Sequence, residues 1–305
     1  MYRLERILCP VDFSPNSVEA VRFAHFCVKK FNGSLTLLYV DEFDATPPGF
    51  FLQDETEREE RSDRIQEFAV SKFTEIIDSL KLDSARTTQI VRFGTAYKEI
   101  IDEAETNGYS AVMISTVGLG HSEPYLIGRT AERVVRLVRT PAFSLGFQES
   151  KKEFGISTIL CPTDFSDYSN YALPYAISLA RYFSAKLFML HVSDINAKPE
   201  ENILDKFPAI RQYHEGADSV EIDNLVDRDI EPENAIVRIT RQYGIDLIVM
   251  GTHGARGMRR VQIGTTTEEV VRRVTVPVLT ITHPIHKQIF PRRFWEDYQL
   301  ENNWT

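Results

Sequence analysis

Gly251, Gly254, Gly264 and Thr265 stand in the order Gly-x2-Gly-x9-Gly-Thr, inside the stretch GTHGARGMRRVQIGTTT that runs from residue 251 to 267. Glycine lets a backbone approach a phosphate closely, and Arg256, Arg259 and Arg260 add positive charge to the same loop. Before it, the apolar run Ile245 to Met250 reads as a buried strand, and after it Val270, Val271 and Val274 fall on one face of a helix over Glu268 to Val274. The glycines therefore occupy a strand-to-helix connection. A helix start offers unpaired N–H groups and a positive dipole end, which suit an anion. Thr265 with Glu268, and Thr266 with Glu269, each have capping-box spacing, so a plain capped turn is the competing reading. No Gly-Lys-Ser/Thr follows and no Gly-x-Gly-x-x-Gly is present, which sets this loop apart from the Walker and dinucleotide types.

Asp164 is the second candidate. It follows Cys161-Pro162-Thr163 at the carboxyl end of an apolar strand, where open parallel sheets bind ligands. A carboxylate there can hydrogen-bond a ribose hydroxyl or an adenine amine, or it can cap a helix beside Ser166 and Asp167. Hydrolysis is poorly provided for. The loop holds no Asp or Glu before Glu268 to carry a metal, and His253, next to Gly254, suits a backbone or phosphate hydrogen bond better than a base. No catalytic residue and no metal ligand is assigned.

The elements that must position these groups come twice. ILCPVDFS at 7–14 returns as ILCPTDFS at 159–166, an offset of 152. Later, Gly118 matches Gly254, Gly128 matches Gly264, and Glu132 matches Glu268, each at an offset of 136, so the second copy is sixteen residues shorter between its second and third strands. The first copy reads as strands at Leu4 to Cys9, Leu35 to Val40, Thr87 to Arg92, Ala111 to Ser115 and Ala142 to Leu145. Helices alternate with them at Ser14 to Phe31, Arg58 to Leu80, Tyr97 to Asn107 and Thr130 to Val138. The second copy places strands at Thr158 to Cys161, Leu187 to Val192, Val220 to Asp227, Leu247 to Met250 and Val278 to Thr282, with a short helix within Glu201 to His214. Continuous apolar strands alternating with helices predict an α/β fold, a parallel sheet covered on both faces.

With the repeat in view, the chain resembles the universal stress protein family over about residues 1–283, and the Gly-x2-Gly-x9-Gly-Thr spacing is similar to the signature of its ATP-binding members. The resemblance implies two tandem open five-stranded sheets of order 3-2-1-4-5, similar to the adenine-nucleotide α-hydrolase arrangement. It divides the chain into a first domain over 1–147, a second over 154–283 and an aromatic C-terminal tail over 284–305. It implies ATP, alone or with Mg, as ligand of the second domain. Pro162, Thr163, Asp164 and Val192 would hold the nucleoside, with Met250, Gly251, His253, Gly254 and Arg256 lining the site and Gly264, Thr265 and Thr266 on the phosphates. The first copy departs from the pattern: Ser115 replaces the first glycine, Val117 the histidine, and Arg129 the Ser/Thr, and its loop Leu119 to Ile127 carries Glu123 and no Lys or Arg. Copy one is thus degenerate for ATP, while Asp12 at the matching strand end leaves a bare nucleoside or another ligand open there. The family's dimers imply an intramolecular pseudo-dimer in which the two fifth strands pair, with a further homodimer left open.

The net charge of −9 argues against a general nucleic-acid binder, and no apolar run nears the ~20 residues of a membrane span. Cys9, Cys27 and Cys161 lack metal or Cys-x-x-Cys spacing; Cys9 and Cys161 read as small buried thiols, and a reducing cytoplasm is the expected compartment. Phe290, Phe294, Trp295 and Tyr298 are spaced for one helical face, which reads as a tail docked on its own domain or as a hook for an unnamed protein partner. The leading function is an ATP-binding protein of stress response or signalling. The alternatives are a nucleotide-independent scaffold or adaptor, a slow ATP hydrolase, and a nucleotidyl-transfer enzyme, whose His-x-Gly-His or Ser-Gly-Gly-x-Asp-Ser element does not occur.

Overall fold

The computed structural model describes residues 1–42, 55–118, 127–146, 154–198, 202–207, 216–252 and 264–282, with side chains from residue 59 onward in the second of these segments. The first half runs β1 (Arg6–Pro10), α1 (Pro15–Phe31), β2 (Ser34–Asp41), α2 (Glu55–Leu80), β3 (Thr87–Phe93), α3 (Ala96–Thr106), β4 (Ala111–Ser115), α4 (Arg129–Leu137) and β5 (Ala142–Leu145). The second runs β6 (Thr158–Pro162), α5 (Asp167–Asn170), α6 (Leu173–Phe183), β7 (Lys186–Asp194), β8 (Ile222–Asp229), α7 (Pro232–Gln242), β9 (Leu247–Gly251), α8 (Thr265–Arg273) and β10 (Val278–Ile281). In the stretch Glu201 to His214, where a short helix is expected, the described residues form a 3-10 turn at Ile203–Asp205 followed by helical residues Lys206 and Phe207. The third strand of the second half starts at Ile222, two residues later than expected.

One helix is split. The counterpart of α1 in the second half breaks into α5 and α6 because Pro174, in the first turn of α6, has no N–H to give the Asn170 carbonyl. Ala172 N–H instead reaches back only to the Ser169 carbonyl, at 3.1 Å, tightening the turn before α6 begins.

Each half has the expected strand order, and the two fifth strands pair as expected. The halves form one sheet of ten, β3-β2-β1-β4-β5-β10-β9-β6-β7-β8, in which the β5–β10 contact is the antiparallel one. Pairing the two fifth strands removes two open edges at once. The seam aligns Phe143 with Leu279, and Thr280 and Ser144 donate across it to the Ala142 and Val278 carbonyls, at 3.1 and 3.3 Å.

Both sheet faces are covered, and they differ. On one face α1, α2 and α6 lie over a single apolar core that runs through both halves, from Leu4, Phe23 and Phe73 to Ile177, Phe207 and Ile281. Ala20, Phe23, Ala24 and Cys27 form its predicted stripe on α1 and are all buried. Aromatic rings bridge the halves here. Phe26 stacks on Phe183 with centroids 5.6 Å apart, Phe31 meets Tyr182 at 4.6 Å, and Tyr2 meets Tyr175 at 4.7 Å. On the opposite face the cores are separate, one under α3 and α4 and one under α7 and α8, with Ile127 packed against both.

Candidate functional site

β6 and β9 are parallel neighbours, with Ile159 opposite Leu247 and Leu160 opposite Ile248. The chain leaves β6 to cover one face through α5 and α6, and reaches β9 from α7 on the other face, so the strand order reverses between these two strands. Their carboxyl ends, Pro162 and Gly251, border the crevice that such a reversal opens.

On the β6 side a polar network sets the turn. The Thr163 hydroxyl donates to Asn170 Oδ1 at 2.9 Å and accepts the Phe165 N–H at 2.9 Å, while Ser169 Oγ lies 3.2 Å away. Phe165 takes a left-handed conformation, φ +62°, which a bulky residue adopts only when its surroundings compensate. Its ring is stacked on His191 at 4.5 Å and set edge-on to the buried Phe207 at 5.1 Å. His191 Nδ1 lies 3.0 Å from the Thr163 carbonyl, which can only accept, so that nitrogen carries the proton. The outcome is a fixed backbone that presents the exposed Asp164. Asp164 does not cap α5. Ser166 does, accepting the Ser169 N–H at 3.3 Å, because it is the residue whose extended backbone precedes the helix. Asp164 Oδ1 accepts from the Ser166 N–H at 3.1 Å and from its hydroxyl at 2.5 Å.

On the β9 side, Met250 and Gly251 are buried, and Val192 packs with Met250 against the core under α7 and α8. The Gly264 N–H donates to the Thr252 carbonyl at 2.8 Å and anchors the start of α8 beside the end of β9. The two capping boxes are not formed. Gly264, with φ −59° and ψ 140°, is the N-cap, and Thr265 and Thr266 already lie inside the helix, where their hydroxyls are past the capping position. Glu268 and Glu269 both hold Arg272 instead, at 2.9 and 2.8 Å. The first intrahelical bond is Glu268 N–H to the Gly264 carbonyl, 3.1 Å, so the N–H groups of Thr265, Thr266 and Thr267 have no acceptor within the helix. That is an electropositive terminus with no side-chain cap.

Two residues of this site were missed from sequence. Thr267 is buried and donates to the Gly251 carbonyl at 3.0 Å, tying α8 to the end of β9. His191 supports Asp164 through Thr163; its place in the repeat, matching Tyr39, was the available signal. His253, Gly254 and Arg256, with Arg259 and Arg260, lie outside the described residues, as do the loop carrying Glu123 and the aromatic tail. The thiols expected to be buried are buried, and burial pushes Cys161 up to about 12 and Cys9 and Cys27 upward as well. Among the described residues no cluster of three or more His, Cys, Asp or Glu could hold a metal, and no helix is long and apolar enough to cross a membrane.

The known proteins to which this chain is similar include universal stress proteins. The crystal structure of a universal stress protein from Archaeoglobus fulgidus matches 92% of this chain and 99% of its own, with a TM-score of 0.71 at 21% identity. Universal stress protein MJ0531 of Methanocaldococcus jannaschii is 29% identical over 140 residues, 41% of this chain and 82% of that protein. A crystal structure of a universal stress protein in complex with cAMP matches 42% of this chain and 98% of its own at 24% identity, with a TM-score of 0.36. The model of the universal stress protein family matches twice, over residues 3–143 and 155–282. Two matches that together span most of the chain, on two copies of one fold, mean that this protein belongs to the universal stress protein family as a tandem member.

Proposed function

We propose that the second half binds an adenine nucleotide, ATP alone or with Mg, and that the chain acts in stress response or signalling through that occupancy. The observation that carries this reading is the start of α8. Gly264 caps it without a side chain, and the N–H groups of Thr265, Thr266 and Thr267, which have no acceptor within the helix, lie at the carboxyl end of β9, the strand next to β6. The sequence adds the glycine spacing and the arginines of residues 251–267.

In this reading Thr265 and Thr266 take the terminal phosphates together with Gly264, and Arg256 adds charge from the loop. Asp164 takes a ribose hydroxyl or the adenine amine, while Pro162, Thr163, Val192, Met250 and Gly251 form the nucleoside wall. His253 and Gly254 complete the lining. The chain's own groups bind and orient; none is assigned to chemistry on the phosphates, so any hydrolysis is slow and occurs during long occupancy.

Calorimetric titration of the full chain with ATP tests the reading. One site per chain is expected, lost on Gly254→Val with Gly264→Val. Two sites, or binding that survives both substitutions, refutes it. If the protein purifies with no nucleotide and takes none up, a nucleotide-independent scaffold is the better account.

A further inference from the structure

The two halves carry the same Asp-Phe-Ser turn after their first strands, and each aspartate accepts the N–H of the serine two residues on, but the two differ in exposure. Asp164 is exposed and bonded through Oδ1 to Ser166. Asp12 is half-buried. Its Oδ1 accepts the Ser14 N–H at 3.0 Å, and its Oδ2 lies directly over Gly118, where a Cβ added to that glycine would stand 2.6 Å from the oxygen.

Ser115 explains why Gly118 is there to receive it. This serine stands where the second half has Gly251, and its buried hydroxyl grips Val117 at both ends, donating to the carbonyl at 2.8 Å and accepting the N–H at 3.3 Å. Thr116 is tied down as well, its N–H donating to the Leu145 carbonyl at 2.8 Å. The turn 115–118 is therefore held in one shape, and only a residue without a Cβ leaves room for the carboxylate. Gly118 aligns with Gly254, the second glycine of the signature.

We infer that Asp12 is a built-in anion that closes the first crevice, with Ser115 as its positioning residue, so that the tandem chain accepts one anionic ligand rather than two. The inference rests on reading the second crevice as the anion site. A phosphate entering the first crevice would have to displace Asp12 from over Gly118 and would meet its negative charge at short range. Arg129, the residue after the α4 N-cap Gly128, would remain available only to a ligand that had already done so.

Inorganic phosphate is the probe, followed through backbone amide signals of the full deuterated chain. In the wild type, phosphate should move Gly264, Thr265 and Thr266 and leave Gly118, Gly128 and Arg129 unmoved. Asp12→Ala should make the second group respond too. Asp12→Asn, which keeps the shape and the Ser14 bond but removes the charge, should make it respond as well. Ser115→Gly, which frees the turn, supplies the same readout should Asp12→Ala fail to fold. A first-half response in the wild type, or silence in folded Asp12→Ala and Asp12→Asn chains, would overturn the closure. Silence of Gly264 to Thr266 in every variant would count against the second-half site alone, with the first-half signals still deciding the role of Asp12.

Discussion

The Thr267 hydroxyl donates to the Gly251 carbonyl at 3.0 Å, joining the first turn of α8 to the last residue of β9 inside the core. This bond holds two parts of the proposed site at a fixed separation. Thr267→Val keeps the shape but leaves a buried carbonyl without that donor, a loss of roughly 1–3 kcal/mol. Denaturant unfolding should show that loss together with a weakened ATP affinity. Equal affinity in a clearly destabilised chain would make the bond purely structural.

Thr265 separates binding from folding more cleanly. It is exposed and caps nothing, since Gly264 is the N-cap. Thr265→Ala should therefore leave the melting point within about 1 °C of the wild type. A lost hydrogen bond to a charged phosphate costs about 1.5–3 kcal/mol, so ATP affinity should fall at least about tenfold by calorimetry. A lowered melting point with unchanged affinity would reverse the assignment.

The halves should unfold as one unit. A single apolar core continues through both, and the Phe26–Phe183 stack at 5.6 Å crosses between them. Phe26→Ala and Phe183→Ala should each destabilise the whole chain in one transition, with a coupling of about 0.5–1.5 kcal/mol in a double-mutant cycle. Two separated transitions in the wild type would show the halves to be independent.

Alkali should loosen the fold through its thiols. Burial holds Cys161 at about 12 and raises Cys9 and Cys27 too, against about 8.5 for an unfolded thiol. Their folded-state values are the higher ones, so this contribution is complete below about pH 8.5 and is lost as pH climbs toward the folded values. Urea midpoints should fall over that window, less steeply in Cys161→Ala. At pH 8 an aromatic disulfide reagent should find no reactive thiol in the native chain and all three in denaturant.

Local chemistry was readable from the residues themselves. The repeated ILCP-x-DFS segment, the five-residue apolar strands and the stripe on α1 each express a preference that neighbours along the chain enforce, and each appears where its pattern placed it. The glycine spacing likewise located the turn between β9 and α8. What the tertiary structure decided is whatever depends on partners distant in sequence. Thr265 and Thr266 look like caps in isolation, but the bond from Gly264 N–H to the Thr252 carbonyl fixes the helix start one residue before them. Asp12 and Asp164 are the same residue in the same octet. Yet Asp12 is half-buried with Oδ2 over Gly118, in a turn that Ser115 grips 103 residues further along the chain, while Asp164 is exposed. The pairing of the two fifth strands is expected from the family resemblance, but its antiparallel register, Leu279 opposite Phe143, depends on partners distant in sequence.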